Sequence, residues 1–445
     1  MRRTGMGSTV TKDHRADRRP REHPAAEGAS APAPRPAGGQ DGGRGGHPCD
    51  APPPALTAYG DDPGAVDADV TGAVRAVLGE LLARDMAAAR AVDPLFAEDV
   101  AARVARFTQG GGKFGRSRLL WWALRACGGG EPWRTGAALR LGAALELIQT
   151  CALVHDDVMD GARLRRGRPA LHVEVAGQYA GAGDPERGAR LGEASAILAG
   201  DLALAWADDM VADTELPRDT ARRVRGLWRA MRTEMVAGQY LDVRGEALSA
   251  RSPAQAIRAA CLKSALYSVE RPLALGAALG DAGPAVTRAL CSAGRCVGLA
   301  FQLRDDLLDA FGDPRETGKP VGGDIRSGKS TYLAAVAQAR AESAGDRRAV
   351  GVLRGTLGRD DASDAELDDV RAVFVATGAR DAVAEKIRGL TAQGLRHLDT
   401  APLEPLAAAR LRTLLRRAAG APDGAAGEAV PLSLIPATKD EGAGR

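Results

Sequence analysis

An all-α fold is predicted for this chain of 445 residues, and three observations predict it. The first is residue balance. Hydrophobic residues make up 45% and aromatics only 4%, so a core must be built from Ala, Leu and Val, a mixture that favours close-packed helices over sheets. The second is period: apolar residues recur at helical spacing through long segments, and no alternating strand pattern of useful length competes. The third is punctuation, because Gly-rich or charged connectors at 128–130, 180–187 and 312–328 separate those segments.

Taken in chain order, residues 1–65 are rich in Pro, Gly, Ala and Arg. They lack the apolar surface needed to offset chain entropy, so a disordered tail is expected there. One folded domain is expected over 66–418, and a second disordered tail over 419–445. Segment 66–91 carries Val70, Val74, Leu78, Leu81 and Leu82 on one side of a helix. Segment 133–160 has no proline and is apolar nearly all round, as a central buried helix should be. Further helices are expected at 191–212, 218–240, 253–280, 284–311, 329–342, 365–377 and 380–396.

Charge narrows the function classes. The formal net charge is +3, and the first 50 residues alone supply it with nine Lys/Arg against six Asp/Glu. The remainder balances, with 51 basic and 51 acidic side chains, so no basic domain for nucleic acid emerges. The six cysteines contain no Cys-x-x-Cys pair, which argues for free thiols and against a zinc site. No run of 18 uninterrupted apolar residues and no apolar leader segment occurs. A soluble cytoplasmic protein without stable membrane insertion is the expectation.

Chemistry is concentrated in two copies of Asp-Asp-x-x-Asp: Asp156, Asp157 and Asp160, then Asp305, Asp306 and Asp309. On a helix the first and third carboxylates of each lie one turn apart on the same face, with the second about 100° round. One such triplet alone reads equally well as a solvated helix end. Two copies, each after an apolar stretch and each near basic residues, point to a cavity that gathers divalent ions. Mg²⁺ is the natural candidate, since it takes one or two carboxylates completed by water and substrate phosphates.

Basic groups follow both clusters. Arg163, Arg165, Arg166 and Arg168 come just after the first, and Lys319 and Lys329 after the second. Upstream, Gly110-Gly111-Gly112-Lys113-Phe114-Gly115-Arg116 sets Lys113 and Arg116 beside flexible backbone. It lacks the Gly-x-x-x-x-Gly-Lys-Ser/Thr spacing of a P-loop. Carboxylates and cations in this order are what metal ions and diphosphates sharing one site would require.

With these motifs in hand, the chain resembles the trans-isoprenyl diphosphate synthases, most closely bacterial geranylgeranyl diphosphate synthases. The resemblance implies an isoprenoid-synthase-type helical bundle around a central cavity, normally a homodimer. It implies three Mg²⁺ ions held by the six motif aspartates on an allylic diphosphate. Arg165, Lys263 and Lys319 would bind that diphosphate. Lys113, Arg116 and Arg166 would hold isopentenyl diphosphate, with Gln149 standing where many relatives have histidine. Gln239, Lys263, Ser264 and Gln302 match polar groups near the reacting carbons. Phe114, Ser117, Ala170 and Ser264 depart from common residues of the pattern without removing a charge the reaction needs.

Product length is implied by positions four and five before Asp156. Ala152 and Cys151 are small, so the tail of a growing prenyl chain could pass them, and geranylgeranyl diphosphate is the expected product. Ile148 and Trp206 are deeper candidates for a floor, and equally ordinary core residues. Farnesyl or longer products, a class I terpene cyclase and an inactive partner subunit are the alternatives. The second motif lacks the Asn-Asp-x-x-Ser/Thr-x-x-x-Glu form usual in cyclases, and silent subunits tend to lose motifs that are intact here.

Overall fold

The computed structural model describes residues 58–181, 184–248, 252–313 and 321–420, all within the unit Pro52–Arg445. Helices dominate it. In order they are α1 (Pro63–Ala68), α2 (Val70–Val92), α3 (Ala102–Gln109), α4 (Gly115–Ala126), α5 (Pro132–Met159), α6 (Leu171–Gln178), α7 (Pro185–Ala212) and α8 (Arg218–Ala247). Next come α9 (Pro253–Ala260), α10 (Arg271–Leu279), α11 (Pro284–Phe311), α12 (Gly323–Ser327), α13 (Tyr332–Ser343) and α14 (Arg347–Thr356). The last three are α15 (Asp364–Ala376), α16 (Ala379–Asp399) and α17 (Pro405–Ala418).

α5 is the axis of the bundle. Pro132 starts it with φ already set for a helix, and Leu139, Leu141, Leu145 and Leu147 are fully buried. Burial of each such leucine stabilises the fold by about 1.5–3 kcal/mol. By length and hydropathy α5 could cross a membrane. Yet 78% of its most apolar window is buried against protein, as befits a core helix. α5 packs on α7, and α11 packs on α16 and on the π-helical stretch Cys261–Glu270. A second buried cluster, including Leu303, Leu333, Leu353 and Phe374, supports the far end of α11.

Several expectations need correction. The 253–280 segment is not one α-helix but α9, a ten-residue π stretch and α10. The stretch is wedged between two glycines: a Cβ on Gly238 would lie 2.3 Å from the Lys263 nitrogen, and one on Gly298 2.6 Å from the Ala265 oxygen. α7 starts at Pro185 rather than 191, because Asp184 caps it and proline suits its first turn. α8 continues past 240 to Ala247. The helices α3, α4, α6, α14 and α17, and short α12 within the 312–328 connector, were not expected. Arg165 and Arg168 pair in a two-residue-per-strand hairpin, turned by Arg166 and Gly167 at φ 55° and 74°. Helix α1 begins at Pro63 and Ala419 is buried, each just outside the expected 66–418, while most of both expected tails lies outside the described residues.

Candidate active site

The first aspartate motif is the last turn of α5. Gly161, at φ 62°, closes that helix: the Ala162 N–H donates to the Asp157 carbonyl and the Gly161 N–H to the Val158 carbonyl. Three carboxylates thus crowd the end of a helix where the backbone dipole is already negative. Such an arrangement needs cations close by, and the fold supplies three. Arg165 donates from Nε to Asp157 at 2.7 Å and from Nη2 to Asp156 at 3.2 Å. Lys263 Nζ lies 2.9 Å from Asp156, and Lys329 Nζ lies 3.6 Å from Asp160. Gln239 Nε2 donates a further hydrogen bond to Asp156 at 3.2 Å. Burial alone would raise the Asp156 carboxyl, but Lys263, Lys329 and Arg165 outweigh it and hold it at about 2. Asp157 and Asp160 are instead pushed up by burial, against the pull of Arg165 and Lys329 respectively.

The second motif also ends its helix, α11, but its neighbours are different. Asp305 is exposed. Asp306 is buried and accepts from the Gln302 amide at 2.8 Å, while Ser264 donates to the other end of that amide. Desolvation pushes Asp306 up to about 7. Asp309 accepts the Asp324 backbone N–H at 2.9 Å. Asp324, on α12, is itself raised well above the usual carboxylate range by burial.

Lys329 connects the two clusters. Burial would lower it, but Asp324 beside the second motif and Asp242, Asp160 and Asp156 on the first side raise it well above an ordinary lysine. Lys329 also lines one cavity with Asp306 and Asp309, so both motifs face one ammonium group. Lys319 lies outside the described residues.

A second cationic group forms around the Gly-rich segment. Arg166 donates to the Gly111 carbonyl at 2.8 Å, and its guanidinium lies over Phe107. Arg116 stacks on Tyr267 and donates to Ser268 at 2.7 Å. Between them sits Glu146, buried, raised by desolvation and accepting from Ser117 at 2.6 Å. Arg116 Nε and Gln149 Oε1 are buried with no hydrogen-bond partner, one donor and one acceptor left open. Lys113 is exposed at the edge of this group. Arg163 and Arg168 are exposed and make no ion pair among the described residues, so the four-arginine run divides into two engaged and two solvated side chains.

Below the first motif, Cys151 is buried and its Sγ lies 3.8 Å from His155 Nδ1. Burial pushes that thiol up to about 12. Ala152 is half-buried beside it, and Ile148 and Trp206 are buried deeper along α5 and α7. All described cysteines are free.

Among the described residues, no three acidic, His or Cys side chains converge closely enough to hold an ion as they stand, because lysine and arginine lie between the carboxylates. The donor set nevertheless fits a hard divalent cation. It consists of carboxylate oxygens, and Asp157 Oδ2 is buried without a partner.

Two residues of the site escaped sequence reasoning. Asp242 contacts Lys263 at 2.5 Å and Lys329 at 3.7 Å, and Glu146 lies between Arg116 and Arg166. For Asp242 a signal existed, since it follows Gln239 by three residues on one helix face. For Glu146, inside the most apolar helix, the charge itself was the signal.

Comparison with known proteins matches this arrangement. Residues 98–373 fit the polyprenyl synthetase family model. The geranylfarnesyl diphosphate synthase of Aeropyrum pernix is 31% identical, covering 62% of this chain and 80% of its own. The (2E,6E)-farnesyl diphosphate synthase of Mycobacterium tuberculosis is 34% identical, over 64% and 72%. The structure of geranylgeranyl pyrophosphate synthase from Corynebacterium glutamicum, complexed with isoprenyl diphosphate and magnesium, superposes with a TM-score of 0.71 at 36% identity. That match covers 78% of this chain and 98% of the other. With its paired aspartate helix ends, its interleaved cations and its helical bundle, the chain belongs to the polyprenyl synthetase family.

Proposed function

We propose that the protein is a Mg²⁺-dependent prenyltransferase that joins isopentenyl diphosphate to an allylic diphosphate, with geranylgeranyl diphosphate as the main product. Prenyl transfer is the activity of the family. The observation that carries the reading for this chain is Lys329, an ammonium group 3.6 Å from Asp160 of the first motif that lines one cavity with Asp306 and Asp309 of the second. A site with two acidic walls and cations between them suits a polyanion better than any neutral ligand.

In this reading Arg165, Lys263, Lys329 and Lys319 hold the allylic diphosphate, while Arg116, Arg166, Lys113 and Gln149 hold isopentenyl diphosphate. The six motif aspartates would hold three Mg²⁺ ions, whose positive charge favours departure of the diphosphate. The allylic C–O bond breaks with its electron pair going to the diphosphate. The double bond of isopentenyl diphosphate then forms the new C–C bond, and a proton passes to the released diphosphate. Gln302 and Ser264 set dipoles near the reacting carbons, and the apolar body of α5 excludes water. Asp305, Asp306 and Asp309 approach from the opposite helix end.

Relatives named for farnesyl, geranylgeranyl and geranylfarnesyl products surround this chain, so length rests on its own residues. The small Cys151 and Ala152 support passage beyond the farnesyl stage. Exposed Leu191, Ile197 and Leu198 on α7 support a homodimer, since they would otherwise leave an apolar strip in water. A soluble cytoplasmic enzyme is the matching location, supported by burial of its long apolar helix.

The test is incubation with Mg²⁺, isopentenyl diphosphate and each allylic primer, with chromatography of the dephosphorylated products. Geranylgeraniol as the main alcohol is expected, and Cys151→Phe shifts it to farnesol. No elongation, or a cyclised hydrocarbon, would overturn the reaction. Farnesol from the wild type, or no shift in the variant, would overturn the floor.

A further inference from the structure

We propose that Asp242 is a positioning residue that occupies the diphosphate's place on two lysines until the diphosphate displaces it. The proposal rests on the reading that Lys263 and Lys329 bind the allylic diphosphate. Asp242 lies on α8 and is 9% exposed. Its Oδ2 accepts from Lys263 Nζ at 2.5 Å and lies 3.7 Å from Lys329 Nζ. The two lysines come from separate elements, the π stretch and the loop before α13. Among the described residues, Asp242 is the carboxylate within ion-pair distance of both.

Each lysine has its other short contact with an aspartate of the first motif: Lys263 with Asp156, Lys329 with Asp160. Those two aspartates are among the six that the proposed function commits to metal. Asp242 belongs to neither motif, so it remains with the lysines when the motif carboxylates turn away. One oxygen bridging two ammonium groups also does what a phosphate oxygen would do there. It offsets their mutual repulsion and fixes their spacing. The same contact makes Asp242 a competitor, because a diphosphate must displace it to reach both lysines. One turn along the same helix, Glu246 shares the negative surroundings but makes no ion pair among the described residues.

The test uses full-length protein, EDTA and inorganic diphosphate, with binding followed by titration calorimetry. Asp242→Asn keeps the shape and removes the charge, and tighter binding by roughly tenfold is expected. Glu246→Gln, titrated alongside at about pH 8.5 where Glu246 is ionised, makes nearly the same change in net charge without a lysine contact, and a gain under threefold is expected. Unchanged or weaker binding in Asp242→Asn overturns the proposal. So does an equal gain in both variants, which would reduce the effect to overall charge. Asp242→Ser replaces the Asn variant if thermal melts show that it does not fold. The titration contains neither metal nor prenyl substrate. Failure of the functional reading would show in the wild-type product assay, and failure of this one in the calorimeter.

Discussion

At the end of α5, Asp156, Asp157 and Asp160 face an arginine and two lysines, whereas at the end of α11, Asp306 and Asp309 face an amide and a backbone N–H. The motifs have the same spelling. Within the first motif Asp156 is held at about 2 while Asp157 and Asp160 are raised by burial, and Asp306, the counterpart of Asp157, is pushed up to about 7. The contrast teaches that the spacing of acids selects a geometry, while the neighbours decide which acid is charged. The first cluster is compensated by the protein itself. The short contacts described above for Asp306 and Asp309 are to neutral donors, with Lys329 acting on Asp306 from further away.

The largest expected effect tests that asymmetry directly. Asp156→Asn should lower kcat by roughly a thousandfold, equivalent to about 4 kcal/mol, since it disturbs two cations as well as a proposed metal ligand. Asp306→Asn, whose short bond is to the Gln302 amide rather than to a cation, should cost at least tenfold less. Equal losses in steady-state assays would break the contrast.

A smaller effect should follow from moving Lys263 without changing any charge. Gly238→Ala puts a methyl group where the Lys263 backbone now lies, so the lysine must shift away from Asp156 and Asp242. A shift of about 1 Å in such a site costs on the order of a hundredfold in kcat. A loss below twofold would show that the first cluster does not depend on this spacing.

The smallest effect is on stability. Asp306 is raised in the fold, so the folded state binds its proton more tightly than the unfolded chain does. Its contribution is therefore most favourable below the unfolded value of 3.8 and is lost as pH rises toward about 7. Asp156 behaves in reverse: its stabilisation is full above 3.8 and disappears as pH falls through about 2. Thermal melts in EDTA between about pH 4.5 and 7.5 should show Tm falling with pH in the wild type. The fall should be shallower by a few degrees in Asp306→Asn. Parallel curves would remove Asp306 as a source of the slope.

Much of this was legible in the sequence, for identifiable reasons. The 284–311 helix was predicted with its observed ends because proline and glycine mark both. α5 was legible from a proline-free stretch that is apolar nearly all round, and the six aspartates from their repeat. The π stretch was not legible, since a change of helical register leaves no trace in composition. Nor was α17, whose many arginines resemble a solvated segment although Leu411 and Leu415 are fully buried. Asp242 and Glu146 were hidden because a single acid on a helix usually faces water. Their partners lie far away in the chain, and only the fold brings those partners in.

Cys151 combines two properties that bear on oxidative stress. It is the proposed floor residue, so any gain in its size would shorten the product. Thiols grow when they are oxidised to sulfenic or sulfinic acids, and the thiolate is the form that reacts. With the thiol pushed up to about 12, almost none is thiolate at neutral pH. On the proposed reading, product length would thereby be insulated from oxidation at this thiol, even though a cysteine lines the passage.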